Sequence, residues 1–163
     1  MKSKVILRPH IIYGPGDTTI GPRIKKAIRG SRFIIPGDGT NHISFTHVEN
    51  LAHAILQSVI RSKPGISVYN ITDADSPVFN EAVSSFKKLN GLTFTNFYIP
   101  KMLSLILATL LEYMYKLLRI RNAPTLTPYI VHQMTSDHIL DISKAVSEIG
   151  YSPTKTAIKD FYL

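Results

Sequence analysis

The sequence contains no cysteine, and it carries few charges for its length. The absence of cysteine excludes a disulfide framework, a thiolate nucleophile and a cysteine-ligated zinc or iron–sulfur site. It is compatible with a reducing compartment, so we expect a cytoplasmic location. Charged residues make up 18 % of the 163 residues, below the roughly 25 % usual for soluble domains, and hydrophobic residues make up 44 %. This composition excludes an intrinsically disordered chain.

The sequence also lacks a long uninterrupted hydrophobic run. The short apolar run near the N-terminus meets Arg8-Pro9 and is not typical of a signal peptide. The most apolar segment, residues 103–118, is interrupted by Glu112 and Lys116, whereas a transmembrane helix needs about 20 mainly apolar residues. Three interpretations remain: a largely buried helix, a lid over an apolar ligand, and a helix lying on a membrane surface.

The net charge of +8 is concentrated at the N-terminus, where residues 1–32 hold eight basic side chains against Asp17. Such a surface is either a solvated basic face or one that meets phosphates or lipid headgroups. No helix-turn-helix, zinc-finger or RNP pattern accompanies the charge, so we expect no nucleic-acid partner. The six histidines form no H-x-x-x-H or H-E-x-x-H pair, and we assign no metal ligand.

Hydrophobic periodicity predicts alternating strands and helices within a single domain, residues 1–163. Residues 5–13 are apolar at successive positions, which predicts a strand buried on both faces and broken near Pro9. Further strands are expected at 33–36, 45–48 and 66–72. Helices are expected from Thr18 or Thr19 to Arg29, from Val48 to the Pro64-Gly65 break, and over 78–89, 103–118, 127–134 and 141–149.

Four segments occur in an order that resembles the extended short-chain dehydrogenases/reductases. They are Leu7-Arg8-Pro9-His10-Ile11-Ile12-Tyr13-Gly14-Pro15-Gly16-Asp17; Gly37-Asp38-Gly39 followed by residues 45–52; residues 69–73; and residues 148–153. Asn50, the Ile-Thr-Asp strand end and residues 123–127 favour the 3β-hydroxysteroid dehydrogenase/isomerase branch. The resemblance implies an α/β fold: the C-terminal part of an NAD(P)-binding Rossmann-type fold, with late parallel strands and a mostly helical substrate-binding lobe.

The features that the family uses to bind the coenzyme and to catalyse are missing from this sequence. No glycine-rich pyrophosphate motif follows a strand. The one Tyr-x-x-x-Lys match, Tyr151 and Lys155, has Pro153 between its members, which disfavours a continuous helical turn. We therefore assign no catalytic residue. We expect the chain alone to be inactive, to bind NAD or NADP at most weakly, and to cover its open strand edge by self-association or with a separate N-terminal Rossmann half.

The resemblance places Pro9, His10 and Ile11 beside the nicotinamide as cofactor-binding candidates, and it makes Tyr13 and His42 substrate-binding candidates. We also expect Tyr13 to pack under the following turn with its hydroxyl bonded locally. Related nucleotide-sugar enzymes often carry an asparagine at the position of Ile11 and an arginine shortly before the phenylalanine matched by Phe45. Their absence favours an apolar substrate.

The resemblance therefore implies an oxidoreductase whose substrate is a hydrophobic alcohol or a sterol-like molecule. A nucleotide-sugar epimerase or dehydratase is one alternative, and a non-enzymatic scaffold or membrane-surface binder is another. Asp73 and Asp75 could form a carboxylate pair, but their Asp-Ala-Asp-Ser-Pro context is typical of a turn.

Overall fold

The computed structural model describes residues 3–122 and 124–162, which form an α/β fold with parallel strand pairs. Ala123, used above with residues 124–127, lies outside the described residues. The strands are β1 (Ser3–Pro9), β2 (Ile11–Tyr13), β3 (Ile28–Arg29), β4 (Arg32–Pro36), β5 (Phe45–His47), β6 (Gly65–Ile71) and β7 (Thr95–Ile99). The helices are α1 (Ile20–Ala27), α2 (Val48–Arg61), α3 (Phe79–Leu89), α4 (Lys101–Leu117), α5 (Pro128–Met134), α6 (Ser143–Ile149) and α7 (Ala157–Asp160).

Three parallel pairs organise the strands. β1 runs parallel to β6, β2 to β5 and β4 to β7, while β3 joins β4 as a short antiparallel strand. Parallel neighbours require long crossover connections, and the helices supply them here. The α/β class with parallel strands, predicted from the alternation of strands and helices, is confirmed.

The chain changes strand partner at His10, directly after Pro9. Proline has no N–H to donate, and the His10 N–H donates instead to Thr46 Oγ1 at 3.1 Å. Thr46 Oγ1 in turn donates to the carbonyl of Ile71 at 2.8 Å. One hydroxyl thus links the end of β1, the end of β6 and β5. The break expected near Pro9 is confirmed.

The expectation that the first strand is buried on both faces is wrong. Val5 and Leu7 pack against a core of Tyr69, Ile71 and Tyr151. Ile6 and Ile12, on the opposite face, are 48 % and 41 % exposed. Within residues 3–122 and 124–162, β1 pairs only with β6, so its other edge has no strand beside it.

The first helix ends earlier than expected, at Ala27, and a different residue caps it. The Asp17 carboxylate accepts hydrogen bonds from the N–H groups of Thr19, Ile20 and Gly21 at 2.7–2.9 Å. Thr19 makes no capping bond through its side chain. Gly30 has φ of 61° and belongs to the turn between β3 and β4 rather than to a helix end. Strands β3 and β7 and helix α7 were not predicted from the sequence.

Helix α4 is not largely buried, so the first of the three interpretations of residues 103–118 is wrong. Ser104 and Ala108 are its only buried residues. Its outward face carries eight exposed apolar side chains: Met102, Leu103, Ile106, Leu107, Leu110, Tyr113, Met114 and Leu117. Glu112 and Lys116 form the expected ion pair at 2.8 Å. In the described part of the chain, no helix is both long and apolar enough to cross a bilayer.

Candidate functional site

The described residues form two cavities, one beside the turn after β4 and the segment before β5, the other beside β2 and the turn that follows it. The larger, about 890 Å³, is lined by Gly37, Asp38, Thr40, Asn41, His42, Tyr98, Pro100, Lys101, Thr135, Ser136 and Asp137. The smaller, about 430 Å³, is lined by residues 10–20 and Val48. Both volumes are in the range of small-molecule sites. We refer to them as the first and the second cavity.

Close backbone packing shapes the first cavity. Gly37 and Gly39 have φ of 78° and 69°, a left-handed conformation that favours glycine. A Cβ on Gly39 would lie within 2.9 Å of three atoms of the Asn80 side chain, and a Cβ on Gly37 would lie 2.9 Å from Thr135. These glycines let the turn after β4 lie directly against α3 and the end of α5. Both glycines of the Gly37-Asp38-Gly39 motif are therefore required for the close packing of this wall.

His42 lies on the wall of the first cavity, as its assignment to substrate binding requires. Its N–H donates to Asp137 Oδ1 at 2.7 Å, and its Nδ1 lies 2.9 Å from the carbonyl of Ser76. A carbonyl oxygen only accepts, so Nδ1 carries the hydrogen and Nε2 of the neutral ring remains an acceptor. The adjacent Asn41 donates to the Ser136 carbonyl, while its buried Oδ1 has no hydrogen-bond partner among the described residues. The first cavity is thus rich in polar groups, and the role of His42 stays a prediction.

His10 and Ile11 line the second cavity, while Pro9 lies just outside its lining at the end of β1. The turn of residues 14–17 forms the rest of the wall, and Asp17 holds it against α1. Partial burial works to raise the pKa of the Asp17 carboxyl, but three backbone N–H donors lower it below its ordinary value. The second cavity therefore has a charged, well-anchored rim, and the cofactor-binding role of Pro9, His10 and Ile11 stays a prediction.

Tyr13 also borders the second cavity, but its hydroxyl is committed elsewhere. The side chain is buried, and its hydroxyl donates to Asp73 Oδ2 at 2.7 Å, across 60 residues of sequence. The expectation of a locally bonded hydroxyl is therefore wrong. Burial, and then the charge and hydrogen bond of Asp73, raise the pKa of Tyr13 above its ordinary value. Its predicted contact with substrate is untested, and the hydroxyl is not free for it.

Asp73 is the centre of a buried polar network rather than simply a turn residue. Besides Tyr13, it accepts hydrogen bonds from the His47 N–H at 2.9 Å and from Asn50 Nδ2 at 2.6 Å. Burial raises the pKa of the Asp73 carboxyl, although these donors oppose the shift. Asn50 Oδ1 accepts from the N–H groups of Thr154 and Lys155. The network ties β2, β5, α2 and the C-terminal segment together behind the second cavity.

Tyr151 and Lys155 have separate partners, so the Tyr-x-x-x-Lys match does not assemble into a pair. The Tyr151 hydroxyl donates to the Thr72 carbonyl at 3.0 Å. Lys155 Nζ lies near Glu49 and Asp160, at 3.8 and 3.6 Å. The chain is not helical between Gly150 and Thr156, as the position of Pro153 predicts.

Comparisons with known proteins show what this chain resembles in sequence. Residues 3–80 match the model of the 3-beta hydroxysteroid dehydrogenase/isomerase family. The chain is 35 % identical to 3beta-hydroxysteroid-dehydrogenase/decarboxylase isoform 1 of Arabidopsis thaliana, over 90 % of this chain and 36 % of the relative. It is 28 % identical to 2-alkyl-3-oxoalkanoate reductase of Stenotrophomonas maltophilia, over 91 % of this chain and 46 % of the relative.

Solved structures share the fold. The UDP-glucuronic acid 4-epimerase from Bacillus cereus, in complex with NAD, superimposes with a TM-score of 0.61 at 22 % identity. That alignment covers 94 % of this chain and 40 % of the epimerase. The chain thus spans less than half the length of each of these relatives.

Proposed function

Because residues 3–80 match the 3-beta hydroxysteroid dehydrogenase/isomerase family and the chain resembles its members in sequence, we propose that it is the substrate-binding part of an NAD(P)-dependent oxidoreductase of the extended short-chain dehydrogenase/reductase type. The whole enzyme would transfer a hydride between the coenzyme and a secondary alcohol or ketone of an apolar substrate. This chain would supply the C-terminal strands and the pocket walls, and a Rossmann half would hold most of the coenzyme.

The observation that carries this proposal is the pair of cavities, whose histidines are linked through Ser44 and Ser76. His10 lines one cavity and His42 the other. The His10 ring bonds the Ser44 carbonyl and the His42 ring bonds the Ser76 carbonyl, while the hydroxyls of Ser44 and Ser76 bond each other. This arrangement supports one site for the coenzyme's reactive end and a neighbouring polar site for an oxygen-bearing group of a substrate. Within the described residues, no cluster of three potential metal ligands competes with this interpretation.

The second cavity fits the nicotinamide end of a coenzyme better than a whole dinucleotide. Its volume of about 430 Å³ suits a ring with its ribose. The sequence offers no glycine-rich turn for the pyrophosphate. His10 and Ile11 would border the ring, and the coenzyme would supply the hydride chemistry when bound. The contribution of this chain is to exclude water, to orient the ring and to offer hydrogen-bonding groups.

A thermal-shift experiment on the 163-residue chain tests the substrate class. We expect a 3β-hydroxysteroid to raise the unfolding midpoint, because a ligand that binds only the folded state stabilises it. NAD alone should shift it little. The His42→Ala variant should respond less to the steroid, while His132→Ala, on the exposed side of α5, should respond like the parent.

The same experiment distinguishes the nucleotide-sugar alternative. Stabilisation by UDP-glucose but not by the steroid would contradict an apolar substrate and favour an epimerase or dehydratase. The absence of any shift with the steroid would contradict the proposed pocket. Tight NAD binding by the chain alone would contradict the view that the coenzyme is held mainly by a missing half.

Helix α4 supports a second candidate function, contact with a membrane surface. Its outward apolar face, defined above, is one continuous stripe along the helix. Four basic residues, Lys101, Lys116, Arg119 and Arg121, lie on or beside the helix against a single acidic residue, Glu112. An apolar stripe with flanking cations suits the interface of an anionic bilayer. Such contact would bring the first cavity, which Lys101 lines, close to a lipid-dissolved substrate.

Vesicle co-sedimentation tests this second candidate. We expect binding to vesicles of phosphatidylcholine with phosphatidylserine and weaker binding to phosphatidylcholine alone. Leu110→Ser, on the outward face of α4, should weaken it. Val59→Ser changes an exposed apolar residue on α2 instead, so it should bind like the parent. Equal binding by both variants, or no dependence on the anionic lipid, would contradict a specific role for α4.

A further inference from the structure

The fold stacks His138 against His10, although the two residues are distant in sequence. Their ring centroids lie 5.6 Å apart with an interplanar angle of 29°. The backbone of His138 is fixed on both sides: its N–H donates to the His42 carbonyl, and its carbonyl accepts from the Ser44 N–H, each at 2.8 Å. Because both hydrogen bonds are made by the backbone, a substitution of the His138 side chain leaves them in place.

The contact of His10 with Ser44 determines which nitrogen of its ring is free. Nδ1 lies 2.6 Å from the Ser44 carbonyl oxygen. That oxygen can only accept, so Nδ1 carries the hydrogen and Nε2 of the neutral ring has an unshared pair. Ser44 is fully buried, and its hydroxyl is itself bonded to Ser76 and to the N–H of Leu140. The acceptor that orients His10 is therefore rigid.

The ring of His138 contacts the ring of His10 through its flat face. Its Nε2 is buried and makes no hydrogen bond within the described part of the chain, so that atom does not tie the ring to another residue. The stacked contact limits the rotation of His10 from one side, and the Ser44 carbonyl fixes the ring plane. His10 borders the second cavity in this orientation.

We propose that His138 is a positioning residue that holds His10 with Nε2 as a hydrogen-bond acceptor for a ligand in the second cavity. The ligand would present an N–H or O–H donor. This inference rests on the proposed function, which offers two sources of that donor: the carboxamide of a nicotinamide and the hydroxyl of an alcohol.

Long-range ¹H–¹⁵N NMR of the histidine rings, at about pH 8 where an ordinary imidazole is neutral, tests the positioning role without any catalytic assay. The parent should show a protonated Nδ1 and an unprotonated Nε2 for His10. His138→Ala should show a mixture of both tautomers, and His138→Phe, which keeps a flat ring, should restore the parent pattern. His132→Ala is the matched control. An unchanged His10 pattern in His138→Ala would overturn the positioning role.

Two probes then identify the donor. Oxidised nicotinamide mononucleotide and cyclohexanol are titrated separately while the His10 Nε2 signal is followed. The probe that shifts it supplies the donor, and His138→Ala should weaken that response about fivefold to tenfold, as the loss of one ordinary hydrogen bond would. No shift of Nε2 with either probe would overturn the acceptor role. Failure of the steroid to stabilise the chain would count against the proposed function but leave the tautomer result standing.

Discussion

At the scale of single residues, the pairing of Tyr13 with Asp73 determines how the protein responds to alkali. The hydroxyl donates to a buried carboxylate at 2.7 Å, and both burial and that charge raise its pKa above the ordinary value of 10.0. Tyr151 is buried near the same carboxylate, and its pKa is raised for the same two reasons. Both hydroxyls therefore keep their protons in the folded state when an unfolded chain would release them.

We expect the free energy of unfolding to fall as the pH rises above 10. Each of these tyrosines stabilises the fold fully below its unfolded pKa and loses that contribution above it, at about 1.4 kcal/mol per pH unit. Tyr13→Phe should remove the contribution of Tyr13 and lower stability at neutral pH by about 1–3 kcal/mol. Urea unfolding between about pH 8 and 11 measures both effects.

Tyr129→Phe is the control for this prediction, because Tyr129 is 71 % exposed. It should leave both the stability at neutral pH and the alkaline slope unchanged. An alkaline slope in Tyr13→Phe equal to that of the parent would show that the Tyr13 hydroxyl is not protected by burial and by Asp73.

The sequence identified residues of this network, but it did not predict that they contact one another. Asp73 lies in an Asp-Ala-Asp-Ser-Pro stretch, whose local composition is typical of a turn. Its partners Tyr13 and Asn50 are 60 and 23 residues away, so local composition holds no signal for them. The family resemblance pointed to Asn50, Tyr13 and the Ile-Thr-Asp strand end separately. Only the fold shows that they form one cluster.

At the scale of secondary-structure elements, the switch from β1 to β2 depends on one hydroxyl. Thr46 Oγ1 accepts from the His10 N–H and donates to the Ile71 carbonyl. Thr46→Val keeps the shape of the side chain and leaves both groups unpaired, so we expect a loss of about 1–3 kcal/mol. The amide hydrogen of His10 should also exchange faster, which native-state exchange measures.

Thr109→Val is the matched control for the strand switch. The Thr109 hydroxyl donates to the Leu105 carbonyl within exposed helix α4, where water can replace it. This variant should change stability by no more than about 0.5 kcal/mol. Similar losses in both variants would contradict a special role for Thr46.

The sequence predicted best the elements whose local sequence pattern matches the way they pack in the fold. Pro9 marks the strand break because it lacks an N–H, and the apolar spacing of α2 is regular. The end of α1 was misplaced because Gly30 serves a hairpin turn, which in sequence looks like a helix stop. The exposure of α4 could not be read from its hydrophobicity, because an apolar helix in isolation does not show whether the chain covers it.

At the scale of the whole molecule, the uncovered surface agrees with a chain that spans only part of its relatives. Ile6 and Ile12 on the first two strands are partly exposed. The Arabidopsis relative is matched over 36 % of its length and the Stenotrophomonas relative over 46 %.

An open parallel strand offers unpaired N–H and C=O groups to any second strand. Its exposed apolar side chains would strengthen such pairing. We therefore propose that a Rossmann half covers this edge in the whole enzyme and that a second copy covers it when the chain is alone.

Sedimentation velocity over a range of protein concentrations tests this idea. The parent chain should associate as concentration rises. Ile6→Lys should shift the protein towards monomer, because lysine on an open strand opposes edge pairing and here adds to the charges of Lys4 and Arg8 on the same exposed face. Its free energy of unfolding should change little, since Ile6 is 48 % exposed. Val59→Lys adds the same charge on α2 and should associate like the parent. If Val59→Lys alone prevented association, α2 rather than the open edge of β1 would be the contact surface.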